Sequence, residues 1–290
     1  MTNALRAAYY ADHALQARVR VEQNERLAQD TYRLRVHCPE IARSIVPGQF
    51  IMLRLSGSDD PLLGRPLALY DTVLDEAGTP VGLDVVYLCI GKMTRRLSQI
   101  RPGAELDLWG PLGNGFSPDP AEHLIMVAGG IGQTPFLALG RQYRGLRQYG
   151  TTPRELPAAK QLTFCYGVRS KAYLAGLDDF QSLDLDLRIS TDDGSAGHHG
   201  FVTDLLRNVL AETTLTPRIV CCGPEPMMER VAEIAREANV PCEVSLETPM
   251  ACGIGICFSC VAKVRQADGS WDYKRTCVEG PVFPADKIVW

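Results

Sequence analysis

The sequence predicts a multi-domain protein of the β plus α/β class: an antiparallel β-barrel, then a Rossmann-like parallel α/β domain, then a small C-terminal region built around cysteines. Three observations predict it. Short alternating apolar runs between turn residues fill positions 15–117, strand patterns followed by helix patterns fill 118–246, and 247–290 hold a glycine-rich cysteine loop and a hairpin. At 290 residues the chain is long enough for three such units.

In the first unit, "ARVRVEQNERL", "TYRLRVHC", "QFIMLRL", "PLALYDTV", "LDVVYLCI" and "ELDLWGPLG" are bounded by Gly, Pro and Asp and read as successive strands. "GKMTRRLSQI" is the only helical pattern among them. In the second, "HLIMVAGG" precedes "TPFLALGRQYRGLRQYG", "QLTFCYGVRS" precedes "AGLDDFQS", "LDLRISTDD" precedes "FVTDLLRNVLAE", and "RIVCCGPE" precedes "PMMERVAEIAREANV". Strand followed by helix at this rhythm is the pattern of a parallel sheet covered by helices. In the third, "CVAKVRQADGSWDYKRTC" folds back at "ADGS".

Composition narrows the function classes. With 46% hydrophobic residues, 22% charged residues and a formal net charge of -4, bulk electrostatics gives no support to a nucleic-acid or anionic-membrane role. "MTNALRAAYYADHALQ" lacks the basic and apolar segments of a leader, and no run approaches the roughly 18 to 20 apolar residues that span a bilayer. The expectation is a cytoplasmic protein with no membrane and no nucleic-acid partner. Of ten cysteines, Cys38, Cys89, Cys165, Cys221, Cys222 and Cys242 lie in strand-like stretches without regular spacing and read as buried free thiols.

The other four are Cys252, Cys257, Cys260 and Cys277. A zinc site, a pair of disulfides and an iron–sulfur cluster compete for them. A disulfide framework fits poorly with a chain that carries no recognisable export signal. Zinc sites place short knuckles on separated hairpins, whereas C-x4-C-x2-C followed later by a fourth Cys is the plant-type [2Fe–2S] spacing. Gly253 and Gly255 suit a loop that turns sharply and brings backbone N–H groups toward sulfur. The cluster is the leading reading and zinc the competing one.

Two further stretches carry binding chemistry. "VAGGIGQTPF" follows a strand and opens a helix, so Gly129, Gly130 and Gly132 would let a pyrophosphate approach the backbone and Pro135 would suit the first helical turn. "CYGVRS" and "CCGPEPMM" end later strands, placing three glycine turns at one carboxyl edge of the sheet, where ligands of open α/β sheets bind. In "GRPLALY", Arg65 is either a surface ion-pair partner or a phosphate ligand, for which the guanidinium fork is well shaped. Lys92 and Thr94 in "GKMT" stand ready for another phosphate.

The order R-P, then G-x-x-T, then V-A-G-G-I-G-x-T-P, then Y-G, then C-G-P-x-x-M resembles the ferredoxin–NAD(P)+ reductase superfamily. With the cysteine loop at the C-terminus, it is similar to the electron-transfer subunits of class 1B dihydroorotate dehydrogenases, from about residue 15 to 285. The resemblance implies FAD on the barrel, NAD on the α/β domain and the four cysteines on a [2Fe–2S] cluster. It implies flavin contacts at Arg65, Pro66, Leu67, Ala68, Val86, Tyr87, Leu88, Met93 and Thr94. The sequence departs from the family with Ala68 for Ser, Leu88 for Arg and Met93 for Gly, and losing the hydroxyl and the second arginine removes polar flavin contacts. For the nicotinamide cofactor it implies Gly129, Gly130, Gly132, Thr134 and Pro135, with Gly167, Gly223, Pro224 and Met227 lining the cleft.

Glu247 reads either as a residue facing that site or as an ordinary loop carboxylate. Arg169 and Lys171 stand where a 2′-phosphate would sit if the cofactor were NADP, or else form a solvated basic loop. His198 and His199 are loop neighbours that would not ligate one ion together. Trp109, Trp271 and Trp290 are too scattered for a stacking platform, and no Ser/His/Asp or Cys/His set implies a nucleophile.

The implied activity is electron transfer from dihydroorotate, through an FMN-containing catalytic subunit, the cluster and FAD, to NAD+. The assembly expected is a heterotetramer of two catalytic and two electron-transfer subunits. Alternatives are a sister reductase subunit of a ferredoxin-dependent transhydrogenase, sulfide dehydrogenase or hydrogenase, and a zinc-bearing subunit that kept the fold without the chemistry.

Overall fold

The computed structural model describes residues 11–152 and 156–290; the first ten residues of the stretch inspected for a leader lie outside the described residues. Strands β1 (Leu15–Ala28), β2 (Thr31–His37), β3 (Phe50–Leu55), β4 (Arg65–Leu74), β5 (Pro80–Leu88) and β6 (Glu105–Leu112) close into a barrel in the order β1-β2-β5-β4-β3-β6. All neighbours are antiparallel. Alternation drives closure: Leu34, Val36, Leu53, Leu69, Val85 and Leu108 point inward to one core while their sequence neighbours face out.

The barrel carries one helix that the pattern did not reveal, α1 (Pro39–Ser44). Pro39 opens it and burial of Ile41 and Ala42 holds it in place. The expected helix is present as α2 (Lys92–Leu97), where the Gly91 N–H donates to Thr94 Oγ1 at 3.1 Å.

The α/β unit contains β7 (His123–Gly129), β8 (Gln161–Val168), β9 (Asp186–Thr191), β10 (His198–His199), β11 (Pro217–Cys222) and β12 (Cys242–Ser245). They run parallel in the order β10-β9-β8-β7-β11-β12, with helices α3 (Phe136–Tyr143), α4 (Leu177–Gln181), α5 (Val202–Glu212) and α6 (Glu225–Glu237) between them. Successive strands build away from β7 in one direction and then resume on its other side, so the switch point lies between β7 and β11. Helix α3 is shorter than its apolar pattern suggests because Gly145, at φ +69°, turns the chain out of the helix. The exposed histidines form the two-residue edge strand β10.

The C-terminal region forms the hairpin β13 (Val261–Arg265) and β14 (Trp271–Arg275), and then β15 (Val282–Pro284) adds antiparallel to β12. Its end is therefore stitched to the α/β sheet. Asn114, just past the barrel, reinforces the join: its side-chain amide donates to the Val282 carbonyl at 2.7 Å and accepts from the Val282 N–H at 3.1 Å.

Buried polar groups lock the barrel to the α/β unit. Asp71 on β4 accepts from the Tyr149 hydroxyl at 2.7 Å and from Arg147 at 2.8 Å, and also pairs with Arg141. Tyr70 donates to Asp179 at 2.7 Å. No helix among the described residues is long and apolar enough to cross a membrane.

Candidate functional site

The cysteine loop brings its thiols together as two pairs. Cys252 and Cys257 Sγ lie 3.2 Å apart, as do Cys260 and Cys277 Sγ, distances too long for disulfide bonds. Among the described residues no three His, Cys, Asp or Glu side chains converge as one mononuclear centre would need. Two thiols per iron is the ligation of a two-iron cluster, so the donor set fits that group. Gly253 holds φ +74°, and a Cβ there would lie 2.5 Å from Met52 Cγ, so glycine both turns the loop and lets it rest on the barrel.

Hydrogen bonding at two of the four thiols favours thiolate, the form that binds metal. The Ser259 hydroxyl beside Cys257 holds that thiol down at about 6, and the hydrogen bond between Cys260 and Cys277 brings Cys260 down to about 6. The same pairing pushes Cys277 up. In contrast, burial pushes Cys165 up to about 12 and so keeps it an inert thiol.

The barrel face beneath the loop carries the arginine–proline stretch. Cross-strand register pairs Ala68 with Phe50 and Pro66 with Met52, and Phe50 and Met52 pack with Cys260 and Cys277. Arg65 donates to the carbonyl oxygens of Leu63 and Gly64, both at 3.0 Å, and among the described residues no carboxylate pairs with it. Its charge is therefore available to an anion. Leu67 faces the barrel core, whereas Arg65, Pro66 and Ala68 are half-buried.

Other residues of the expected flavin set are divided between faces. Val86 packs toward the α/β unit, Tyr87 turns into the barrel and donates to Asn24 Oδ1 at 3.0 Å, and Leu88 lines the adjoining cleft. Met93 is buried in the barrel core, so its side chain does not reach that face. Thr94 Oγ1 accepts from the Ile90 and Gly91 N–H groups at 3.1 Å, shaping the turn before α2, and Lys92 pairs with Asp60.

At the switch point lies a cleft of about 760 Å³, within the range of cofactor pockets. Gly129, Gly130, Gly167, Gly223, Pro224 and Met227 line it. Gly132 sits behind them, where a Cβ would lie 2.2 Å from the Cys222 carbonyl oxygen. That neighbour is backbone and cannot step aside. Gly132→Ala is expected to cost about 1–3 kcal/mol of stability through overpacking, seen as a lowered Tm and a weakened NADH complex by calorimetry. Thr134 and Pro135 continue the turn into α3, and both lie outside the cleft lining.

Sequence reasoning missed several lining residues, including Thr31, Tyr166, Arg230 and the amide of Gln133. Gln133 is fully buried, and neither its Nε2 nor its Oε1 has a hydrogen-bond partner in the chain. An orphaned buried amide at a cleft wall is what a polar ligand would satisfy. Glu247 lines the cleft, and desolvation raises its carboxyl pKa. Arg169 lines it too, with its guanidinium 5.1 Å from the centre of the Tyr173 ring, whereas Lys171 lies outside.

Comparison with known proteins follows the same three parts. Residues 18–116 match a family model described as an oxidoreductase FAD-binding domain, 126–233 an oxidoreductase NAD-binding domain, and 247–289 the iron–sulfur cluster binding domain of dihydroorotate dehydrogenase B. A dihydroorotate dehydrogenase B (NAD+) electron transfer subunit of Desulforamulus reducens is 36% identical over 266 residues, covering 91% of this chain and 94% of that one. The chain belongs to the family of dihydroorotate dehydrogenase B (NAD+) electron transfer subunits.

A second member of these electron transfer subunits, from Bacillus caldolyticus, is 34% identical and covers 94% of this chain and 98% of its own. Among solved structures, one titled for flavin-based electron bifurcation in NADH-dependent reduced ferredoxin-NADP oxidoreductase superposes with TM-score 0.76 at 28% identity, covering 94% of this chain and 90% of that chain. A ferredoxin NADP+ reductase from Neisseria gonorrhoeae, TM-score 0.61 at 16% identity over 77% of this chain and 91% of that one, shares the fold. As an electron transfer subunit family member, the chain is an oxidoreductase component with FAD-binding, NAD-binding and iron–sulfur domains.

Proposed function

We propose that this chain is the electron-transfer subunit of an NAD-dependent dihydroorotate dehydrogenase, working with an FMN-containing catalytic subunit in a cytoplasmic heterotetramer of two and two, in pyrimidine biosynthesis. The observation that carries the reading is the shared barrel face. Phe50 and Met52 share a buried cluster with Cys260 and Cys277 on one side and pair across the sheet with Ala68 and Pro66 on the other. Neighbouring strands lie about 4.8 Å apart, so the cluster loop and the arginine–proline strand adjoin through a single strand.

FAD, when bound, supplies the exchange between two-electron nicotinamide chemistry and one-electron iron–sulfur chemistry. Arg65 would neutralise its phosphate charge, with Pro66, Leu67 and Ala68 continuing the strand beneath it. Val86, Tyr87, Leu88, Met93 and Thr94 shape the second wall, Tyr87 and Met93 by filling the barrel behind it. Gly129, Gly130, Gly132, Thr134 and Pro135 would form the pyrophosphate turn for NAD, and Gly167, Gly223, Pro224 and Met227 would close the cleft around it. Cys252, Cys257, Cys260 and Cys277 would hold the [2Fe–2S] cluster. No proton-transferring side chain is needed for hydride exchange between rings, so alignment and exclusion of water are the protein's work.

Gln133 gives this reading a sign test. Gln133→Met removes an unsatisfied amide and is expected to raise the Tm of the ligand-free protein while weakening NADH binding about fivefold, the worth of one hydrogen bond. Anaerobic NADH titration of the flavin- and cluster-loaded chain tests the pathway itself. Absorbance of flavin and cluster should bleach together; a cluster that stays oxidised beside a reduced flavin would break the proposed link.

A second reading keeps the same chemistry with a different partner, a ferredoxin-linked transhydrogenase or related complex. The close superposition on the reduced ferredoxin-NADP oxidoreductase structure favours it.

A further inference from the structure

We infer that Trp109 is a positioning residue that sets the iron–sulfur loop against the strand beginning at Arg65. The inference rests on the reading that the four cysteines hold a cluster and that this strand holds FAD. Trp109 is half-buried on the outward face of β6 and lies across from Met52 in the sheet register. Its indole Nε1–H donates to the Cys252 carbonyl oxygen at 2.9 Å, spanning 143 positions of sequence. The far edge of the same ring rests on the backbone just before Arg65, since a Cβ placed on Gly64 would lie 2.8 Å from Trp109 Cη2.

One rigid aromatic thus spans the gap. Its polar end fixes the peptide of the first cysteine of the set, and its apolar end fixes the approach to the arginine. Met52, under Gly253, holds the next residue of the loop from below. A bond to the peptide of a metal ligand orients that ligand and adjusts the charge on its sulfur, so Trp109 acts on the cluster through Cys252 without touching sulfur. Phenylalanine would keep the packing and lose the bond. The exposed Trp271 on the hairpin makes no such bridge and serves as the control.

The experiment compares the full-length loaded protein with its Trp109→Phe and Trp271→Phe variants by three readouts: iron and flavin content, the electron paramagnetic resonance spectrum of the reduced cluster, and the rate of cluster loss to EDTA. Trp109→Phe should retain iron and FAD, shift the reduced-cluster spectrum and lose its cluster about fivefold faster, the worth of one hydrogen bond. Trp271→Phe should match the unaltered protein. A Trp109→Phe protein with unaltered spectrum and unaltered loss rate would overturn the inference.

If Trp109→Phe does not fold, Gly64→Ala replaces it, because that methyl pushes on the indole and leaves its N–H in place. A shifted spectrum then supports the bridge, and an unshifted one overturns it. Unaltered protein that holds no [2Fe–2S] cluster after anaerobic loading would instead overturn the underlying reading, an outcome distinct from both.

Discussion

Replacing Cys257 with serine is expected to remove the cluster and leave the flavin. Cys257 is the most exposed of the four thiols, its Sγ is 3.2 Å from Cys252 Sγ, and its hydrogen bonding with Ser259 lowers its pKa toward the thiolate that binds metal. A serine hydroxyl does not ionise there, so one iron would lose half of its protein ligands. The barrel core and the β12–β15 pairing lie elsewhere, so the fold should survive. Iron and sulfide analysis should fall to background while FAD content and NADH-dependent reduction of an artificial acceptor persist. Electron passage to or from the partner should stop. An intact cluster in this variant would refute the ligand assignment.

Replacing Arg65 with alanine is expected to release FAD. Among the described residues the guanidinium hydrogen-bonds only the carbonyl oxygens of Leu63 and Gly64, and no acidic side chain competes for it. Its loss should therefore cost the ligand-free fold little. A charge-assisted bond to phosphate contributes about 1.5–3 kcal/mol, so the Kd for FAD should rise about ten- to hundredfold. Ala68 and Leu88 stand where polar partners are expected in this family, which leaves more of the anchoring to Arg65. Quenching of free-flavin fluorescence on titration would measure it, and an unchanged Kd would place the phosphate elsewhere.

These residues also show what the sequence made legible. Cys252, Cys257 and Cys260 lie within nine positions, and a local spacing survives any uncertainty about the fold. The glycine turns were legible for the same reason, and the strand–helix rhythm placed them at one sheet edge. The distribution of the barrel contacts was not, because carrying over consecutive positions ignores the alternation of a strand. Val86 and Tyr87 face opposite sides, into different cores. Thr31 reaches the cleft only because register pairs it with Leu88. Trp109 was visible as a residue, but its contact with Cys252 exists only once β6 and the loop meet across the fold.

Dihydroorotate-dependent reduction of NAD+ tests the account most directly, measured on the chain isolated anaerobically from its own host with whatever co-purifies. The account predicts orotate and NADH formed in equal amounts, lost in the Cys257→Ser protein and carried by a co-purifying FMN protein. A preparation that passes electrons from NADH to an artificial acceptor, yet forms no orotate from dihydroorotate and NAD+, would contradict it.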